Sequence, residues 1–417
     1  MTDYSEKIDA LLQSFERFGV HLGLEASFQL LENLGNPHDR VPVLHVAGSN
    51  GKGSVCAYLS AILTAAGYKV GRYTSPHLID WSERICINDR SIAPEALYQA
   101  LLNVQAAIDP AQPSPTQFEV LTAAMWLYFA EQQIDVAVIE VGLGGRLDAT
   151  NVIDRPLVSV IVSISREHWQ RLGFTLGEIA GEKAGILKPR CPAVIGQLPA
   201  EAKTVIDQRL KELSCPTIYP HPARRIDEQW VEYNSLKYAL PLRGEIQLHN
   251  SALAIAAIQL LNQQGWKISD NAIVNGIANT KWAGRLQWFD WNGNKILIDG
   301  AHNPASAEAL RQYVDSLNSK SIHWVMGMLS TKDHADIFKA LLRSNDSLYL
   351  VPVPDHSSAD LSELETLANE ICPTLAMSQV YEDVSAGLQA ATLDSNLTIL
   401  CGSLYLIGDF FKQIQSS

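Results

Sequence analysis

An apolar run, Val43-Leu44-His45-Val46-Ala47, leads straight into Gly48-Ser49-Asn50-Gly51-Lys52-Gly53-Ser54, and residues 55–66 then have the pattern of a helix that ends at Gly67. Strand, glycine turn, lysine and hydroxyl, helix is the order a phosphate-binding loop needs. Gly48, Gly51 and Gly53 would let backbone N–H groups turn onto phosphate oxygens. Lys52 would reach the terminal phosphates, and the Ser54 hydroxyl would face a magnesium ion. The loop is shorter than the common form, because only Ser49 and Asn50 separate Gly48 from Gly51. A chance glycine turn is the plainer alternative, but strand, helix, Lys and Ser all agree with the phosphate loop.

Such a loop sits at the carboxyl end of a strand in a parallel sheet, and the rest of the chain fits that setting. The runs 136–140 and 157–164 are β-branched, as central parallel strands are. Residues 68–73 read as another strand. Residues 11–18, 27–34, 118–130, 250–263 and 270–279 read as helices, and 228–240 as a hairpin around Asn234-Ser235. The texture changes at 282–291, which is aromatic, and Asn292-Gly293-Asn294 is a hairpin turn. Strands follow at 296–298, 323–326, 348–351 and 397–400. The expected fold is α/β: an N-terminal doubly wound phosphate-loop ATPase domain over 1–285 and a smaller, Rossmann-like C-terminal α/β domain over 286–417.

Composition excludes several classes. A net charge of -13 over 417 residues argues against nucleic acid as a partner. The six cysteines are scattered without a Cys-x-x-Cys pair, against a zinc site or a disulfide framework. The polar start and the lack of a long apolar stretch predict a cytoplasmic protein with no membrane segment; its expected partners are small molecules and its expected state is a monomer.

Further motifs end strands. Glu140 closes one and opens Val141-Gly142-Leu143-Gly144-Gly145-Arg146-Leu147-Asp148-Ala149-Thr150-Asn151. A carboxylate there is placed to hold magnesium on a nucleotide, and the glycines would admit a ligand close to the backbone. The alternative is a tight turn with Glu140 and Arg146 paired. Ser75, in Tyr73-Thr74-Ser75-Pro76-His77, offers a hydroxyl or carbonyl to the metal. His168, in Ser163-Ile164-Ser165-Arg166-Glu167-His168, would be a further metal-side group. Glu182 and Lys183 share a helix, where a solvated charge pair is the ordinary reading. Asp299-Gly300-Ala301-His302-Asn303-Pro304 ends a strand and opens a helix. Asp299 and His302 would face a nucleotide, while Asn303 caps the helix and Pro304 starts it.

Together these motifs resemble the folylpolyglutamate synthase and dihydrofolate synthase family of the Mur ligase superfamily. Residues 46–54 are similar to the family's phosphate loop, with Ser49 where Thr is usual, and 74–78, 140–151, 182–186 and 299–304 match in order. The resemblance implies ATP-dependent addition of L-glutamate to dihydropteroate, to folates, or to both, through an acyl phosphate, with ATP and two magnesium ions. It makes Ser54, Ser75 and Glu140 groups around one magnesium, His168 a ligand of the second, and Lys183 a carbamylated lysine. Asn250, Arg285 and Asp299 match ATP-contacting positions alongside Gly48, Ser49, Asn50, Gly51, Lys52, Gly53 and Ser54. Lys52, Lys183, Asp299 and His302 would be the catalytic set. Val20, His21, Leu22, Gly23, Thr116, Gln117, Phe118, Glu119, Leu147, Asp148 and Ala149 would form the pterin or pteroate pocket. Two departures stand out. Glu167 precedes the metal-site histidine where Asp is common. His21-Leu22-Gly23-Leu24-Glu25-Ala26 lacks the acid and the arginine of the usual Asp-Leu-Gly-Leu-x-Arg segment. Other readings are a Mur-type ligase for a cell-wall precursor and a nucleotide-dependent switch that hydrolyses ATP without glutamate.

Overall fold

A computed structural model describes residues 4–15 and 23–416. The chain divides into two compact units. One comprises residues 1–76, 80–241 and 248–280; the other comprises 77–79, 242–247 and 281–417.

The first unit is built on an eight-stranded sheet: β1 (Val43–Ala47), β2 (Val70–Tyr73), β3 (Ile85–Ile87), β4 (Arg90–Ser91), β5 (Val136–Glu140), β6 (Val158–Ile161), β7 (Ala193–Ile195) and β8 (Thr217–Ile218). Their spatial order is β4-β3-β2-β5-β1-β6-β7-β8. From β2 to β8 the neighbours run parallel; β3 and β4 add an antiparallel edge. Every residue of β1, β5 and β6 is buried, because helices cover both faces, which is why these strands are continuous apolar runs.

The helices of this unit are α1 (Tyr4–Gln13), α2 (Glu25–Asn33), α3 (Lys52–Ala65), α4 (Pro94–Ala106), α5 (Gln117–Glu131), α6 (Trp169–Leu172), α7 (Leu176–Ala184), α8 (Ala200–Leu213), most of α9 (Ile246–Gln263) and α10 (Asp270–Ala278). After β1 the chain crosses to β2 on one side, and after β6 it crosses to β7 on the other. The carboxyl ends of β1 and β6 therefore flank the point where strand order reverses, the place where such sheets bind ligands. A three-stranded antiparallel sheet follows, β9 (Arg224–Arg225), β10 (Trp230–Tyr233) and β11 (Leu236–Ala239). Asn234 and Ser235, both at positive φ, turn β10 into β11.

The second unit carries a six-stranded sheet in the order β12 (Gln287–Trp291), β13 (Asn294–Ile298), β17 (Leu397–Cys401), β14 (Ile322–Met326), β15 (Ser347–Leu350), β16 (Met377–Val380). Only β12 is antiparallel to its neighbour. Its hairpin turns through Asn292 and Gly293, at φ +50° and +81°, the left-handed pair that suits a tight turn. Helices α11 (Pro304–Ser316), α12 (His334–Leu341), α13 (Leu361–Ile371), α14 (Val384–Ala391) and α15 (Leu404–Ser416) complete it.

The α/β class and the central strands match the expectation from sequence. Several elements differ. The first helix covers Tyr4–Gln13 rather than 11–18, and 16–18 lie outside the described residues. The strands β3, β4, β7, β8, β9 and β16 were not anticipated. They are two to four residues long, and β16 is half exposed and polar, so neither length nor alternation marks it.

Candidate active site

The carboxyl end of β1 turns through residues 48–51 into α3. Gly51 lies at φ +86°, and a Cβ on it would stand 2.7 Å from Asn250 Oδ1, so both the backbone and the approach of α9 call for glycine. The turn is fastened to the segment after β6. The Ser49 amide donates to the Ser163 carbonyl (2.8 Å). The Asn50 amide donates to Ser163 Oγ (2.9 Å), and that hydroxyl donates to the Asn50 carbonyl (2.9 Å). The Ser165 amide donates to Ser49 Oγ (2.9 Å), which donates on to the Ser165 carbonyl (3.1 Å). The amides of Ser49 and Asn50 are thus engaged within the protein. The amides a helix start offers to an anion are those of the first turn of α3, at Lys52, Gly53 and Ser54. Lys52 Nζ folds over this turn, donating to the carbonyls of Gly48 (3.0 Å) and Ser49 (3.3 Å).

Lys183 meets the same loop from α7. Its Nζ donates to the Gly48 carbonyl (2.9 Å) and to Glu167 Oε1 (3.0 Å), and the side chain is 2% exposed. The solvated Glu182–Lys183 pair is therefore not what forms: Glu182 pairs with Arg146 (2.8 Å), and Lys183 is buried. Arg146 likewise pairs with Glu182 and not with Glu140. Burial pushes the Lys183 ammonium below its ordinary value, against the pull of Glu167. Burial alone would raise the Glu167 carboxyl, but Lys183, Lys52 and His168 outweigh it and bring it down to about 2.

Glu140 ends β5 at 5% exposure, and its Oε2 accepts the Ser75 amide at 3.3 Å. Ser54 is buried in the first turn of α3. His168 is exposed, at positive φ just before α6. Among the described residues no three His, Cys, Asp or Glu side chains gather into a metal cluster. Two hydroxyls and one carboxylate are the sparse oxygen set that magnesium takes, keeping most of its water.

The loop 142–151 is organised from inside. Asp148 accepts the Leu143 amide (2.8 Å), the Thr150 amide (3.0 Å) and the Thr150 hydroxyl (2.5 Å). Burial raises its carboxyl above the ordinary value in spite of these donors. A Cβ on Gly145 would stand 2.9 Å from the Glu182 carbonyl and 3.0 Å from that of Lys183. That glycine admits the end of α7, not a ligand. Of the other residues expected in an acceptor pocket, Thr116 and Glu119 form the capping box of α5, with Gln117 and Phe118 half buried beside them. Gly23 is half buried. Val20, His21 and Leu22 lie outside the described residues.

His45 on β1, fully buried, has Nε2 2.9 Å from Thr150 Oγ1. Burial lowers its pKa to about 3. An unfolded chain takes up this proton near the ordinary value of 6.5, so between 6.5 and 3 the unfolded state holds more protons than the folded one. Stability attributable to the neutral ring is present above that window and is lost as pH falls through it, at about 1.4 kcal/mol per pH unit. His45→Gln carries no such proton. Its stability relative to the parent should improve by about 2 kcal/mol between pH 7 and pH 5 in chemical denaturation. Parallel pH dependence in the two proteins would refute the buried neutral ring.

In the second unit, Asp299 follows β13 and accepts the amides of Leu286 and Ala301, both at 2.9 Å. Burial raises its carboxyl, with Arg285 opposing. His302 Nδ1 lies 2.7 Å from the Gly300 carbonyl, so Nδ1 carries a hydrogen and donates it. Arg285 is half buried, with Nη1 on the Gly284 carbonyl (3.2 Å). Asn303 caps α11 and Pro304 begins it.

Residues 46–258 match the Mur ligase middle domain, and 286–413 match the dihydrofolate synthetase C-terminal domain. The probable dihydrofolate synthetase of Schizosaccharomyces pombe is 35% identical over 95% of this chain and 99% of its own. The dihydrofolate synthase/folylpolyglutamate synthase of Bacillus subtilis is 34% identical over 96% of both chains. The chain belongs to the dihydrofolate synthase/folylpolyglutamate synthase family. As a member of that family it is an ATP-dependent ligase. Among solved structures of the family, Mycobacterium tuberculosis folylpolyglutamate synthase complexed with ADP and AMPPCP superposes with a TM-score of 0.88 at 29% identity, covering 98% of each chain. Escherichia coli FolC in complex with DHPP and ADP gives 0.86 at 29% identity, over 99% of this chain and 98% of that one.

In this synthase the residues that sequence reasoning passed over are those that hold the named ones. Ser163 and Ser165 had a signal, two hydroxyls at a strand end, but nothing local ties them to a loop more than a hundred positions earlier. Thr150 and His45 carried none. No helix among the described residues is long and apolar enough to cross a membrane.

Proposed function

We propose that this synthase joins L-glutamate to dihydropteroate, to a folate, or to both, by way of an acyl phosphate. The observation that carries the reading is the fastened phosphate loop with Lys52, Lys183 and Glu140 around it, in a chain that matches the family over nearly its whole length. A carboxylate is a poor acyl donor because oxide is a poor leaving group. Transfer of the terminal phosphoryl group of ATP to it supplies a better one, and the glutamate amine then displaces phosphate. The first-turn amides of α3 and the Lys52 ammonium bind and orient the phosphates. Asn250, against Gly51, is a proposed nucleotide contact. His302 or Asp299 is the proposed acceptor of the amine proton.

Ser54 and Glu140, both buried, and the half-buried Ser75 fit a magnesium ion as a hard oxygen set, and His168 offers a ligand to a second ion. When bound, magnesium neutralises charge on the phosphate oxygens. Glu140→Ala and His168→Ala should each raise the magnesium concentration giving half-maximal rate, by about tenfold for the buried Glu140. Unchanged magnesium dependence in both would place the metal elsewhere.

The reading is tested by phosphate release with ATP and glutamate, comparing dihydropteroate with tetrahydrofolate as acceptor. Release that needs both glutamate and one of these acceptors supports it. Release without glutamate would favour a nucleotide-driven switch and reject the ligase assignment.

A further inference from the structure

His45 takes no part in the chemistry described above, yet its position is expensive to maintain. It sits on the central strand with no exposed surface, among positions otherwise filled by Val, Leu and Ala. Its Nδ1 is buried without a hydrogen-bond partner. A leucine would fill the same space with no stranded polar atom. What the imidazole adds is one directed bond, Nε2 to Thr150 Oγ1 at 2.9 Å, across 105 positions of sequence.

The direction of that bond follows from the donors and acceptors. The Asp148 carboxylate only accepts, and it takes the Thr150 hydroxyl hydrogen at 2.5 Å. Thr150 Oγ1 then has only lone pairs to offer, so His45 Nε2 carries the hydrogen and donates it. The chain runs His45 to Thr150 to Asp148, and Asp148 in turn gathers the Leu143 and Thr150 amides. The 142–151 loop is thus fastened at one buried point to β1. Leu147 is the half-exposed residue beside that point, and Ala149 is buried next to it.

We propose that His45 is a positioning residue for the acyl acceptor, acting through Thr150 and Asp148 to fix the segment 147–149 against which the acceptor lies. This rests on the assignment of that segment to the acceptor pocket. His45 itself touches neither substrate nor nucleotide.

Three variants test it. His45→Gln places an amide N–H where Nε2 stood; His45→Leu removes the donor; Thr150→Val removes the relay while keeping its shape. KM for the acceptor, KM for ATP and amide hydrogen exchange over 142–151 are measured for each. His45→Leu and Thr150→Val should raise the acceptor KM about tenfold, leave the ATP KM within about twofold, and speed exchange at Leu143 and Thr150. His45→Gln should stay close to the parent in all three. Equal impairment of His45→Gln and His45→Leu would overturn the proposal, as would unchanged exchange in His45→Leu. A parallel rise in ATP KM would reduce His45 to a general packing role. Faster exchange with an unmoved acceptor KM would reject the pocket assignment while leaving the fastening itself intact. If His45→Leu does not fold, Thr150→Val carries the same readouts, and exchange decides the coupling even where turnover is absent.

Discussion

Replacing Lys52 with alanine should lower turnover by about a hundredfold or more, a loss of about 3 kcal/mol in transition-state stabilisation. The fold should survive. Nζ bridges two carbonyls, Gly48 at 3.0 Å and Ser49 at 3.3 Å, and the side chain is half buried. Those bonds are worth about 1 kcal/mol net. The loop itself is held by Ser163 and Ser165, which the substitution leaves in place. Activity and stability should therefore separate: a small change in melting temperature against a large change in kcat. Near-normal turnover in a folded variant would remove the phosphate-loop assignment, and an unfolded variant would show that Lys52 is chiefly a structural tie.

The parts of this site written in local sequence are those where one residue type answers one local demand. Gly51 must adopt a positive φ, Asn292-Gly293 must turn a hairpin, and Glu140 ends the apolar, largely β-branched run Val136-Ala137-Val138-Ile139, the mark of a buried strand. The central strands were legible for the same reason, since burial on both faces leaves an unbroken apolar run. What sequence hides is the use to which polar side chains are put once the sheet is assembled. Ser163 and His45 look like an ordinary loop serine and an ordinary strand histidine, and each gains its meaning from a partner over a hundred residues away. The second glycine loop was misread in one respect. Its need for glycine at 145 comes from the backbone of α7, so the apparent ligand-binding turn is first a packing solution. The short strands were invisible because two to four residues, whether buried as in β7 or exposed as in β4, are too few to carry a period.

Lys183→Ala should be nearly inactive, through a different physical cause from Lys52→Ala. Lys183 Nζ is fully buried and lies on the same Gly48 carbonyl as Lys52 Nζ, with Glu167 the one carboxylate paired to it. Burial makes the Lys183 ammonium costly to hold beside Lys52, in spite of Glu167 and Asp148. Under the proposed function a carbamate on Lys183 would relieve this. Carbon dioxide adds to the neutral amine, the amine loses a proton, and the cation becomes an oxygen anion suited to magnesium. Burial already favours the neutral amine that reacts. The expected results are a loss of about a hundredfold or more in Lys183→Ala, partial recovery on adding formate or acetate, and a carbamate resonance when the parent is equilibrated with carbon-13-labelled carbon dioxide. Lys183→Arg should not substitute, because it keeps the charge and cannot be carbamylated. No labelled resonance, together with Lys183→Arg retaining full activity, would show instead that a fixed cation paired to Glu167 is all the site requires.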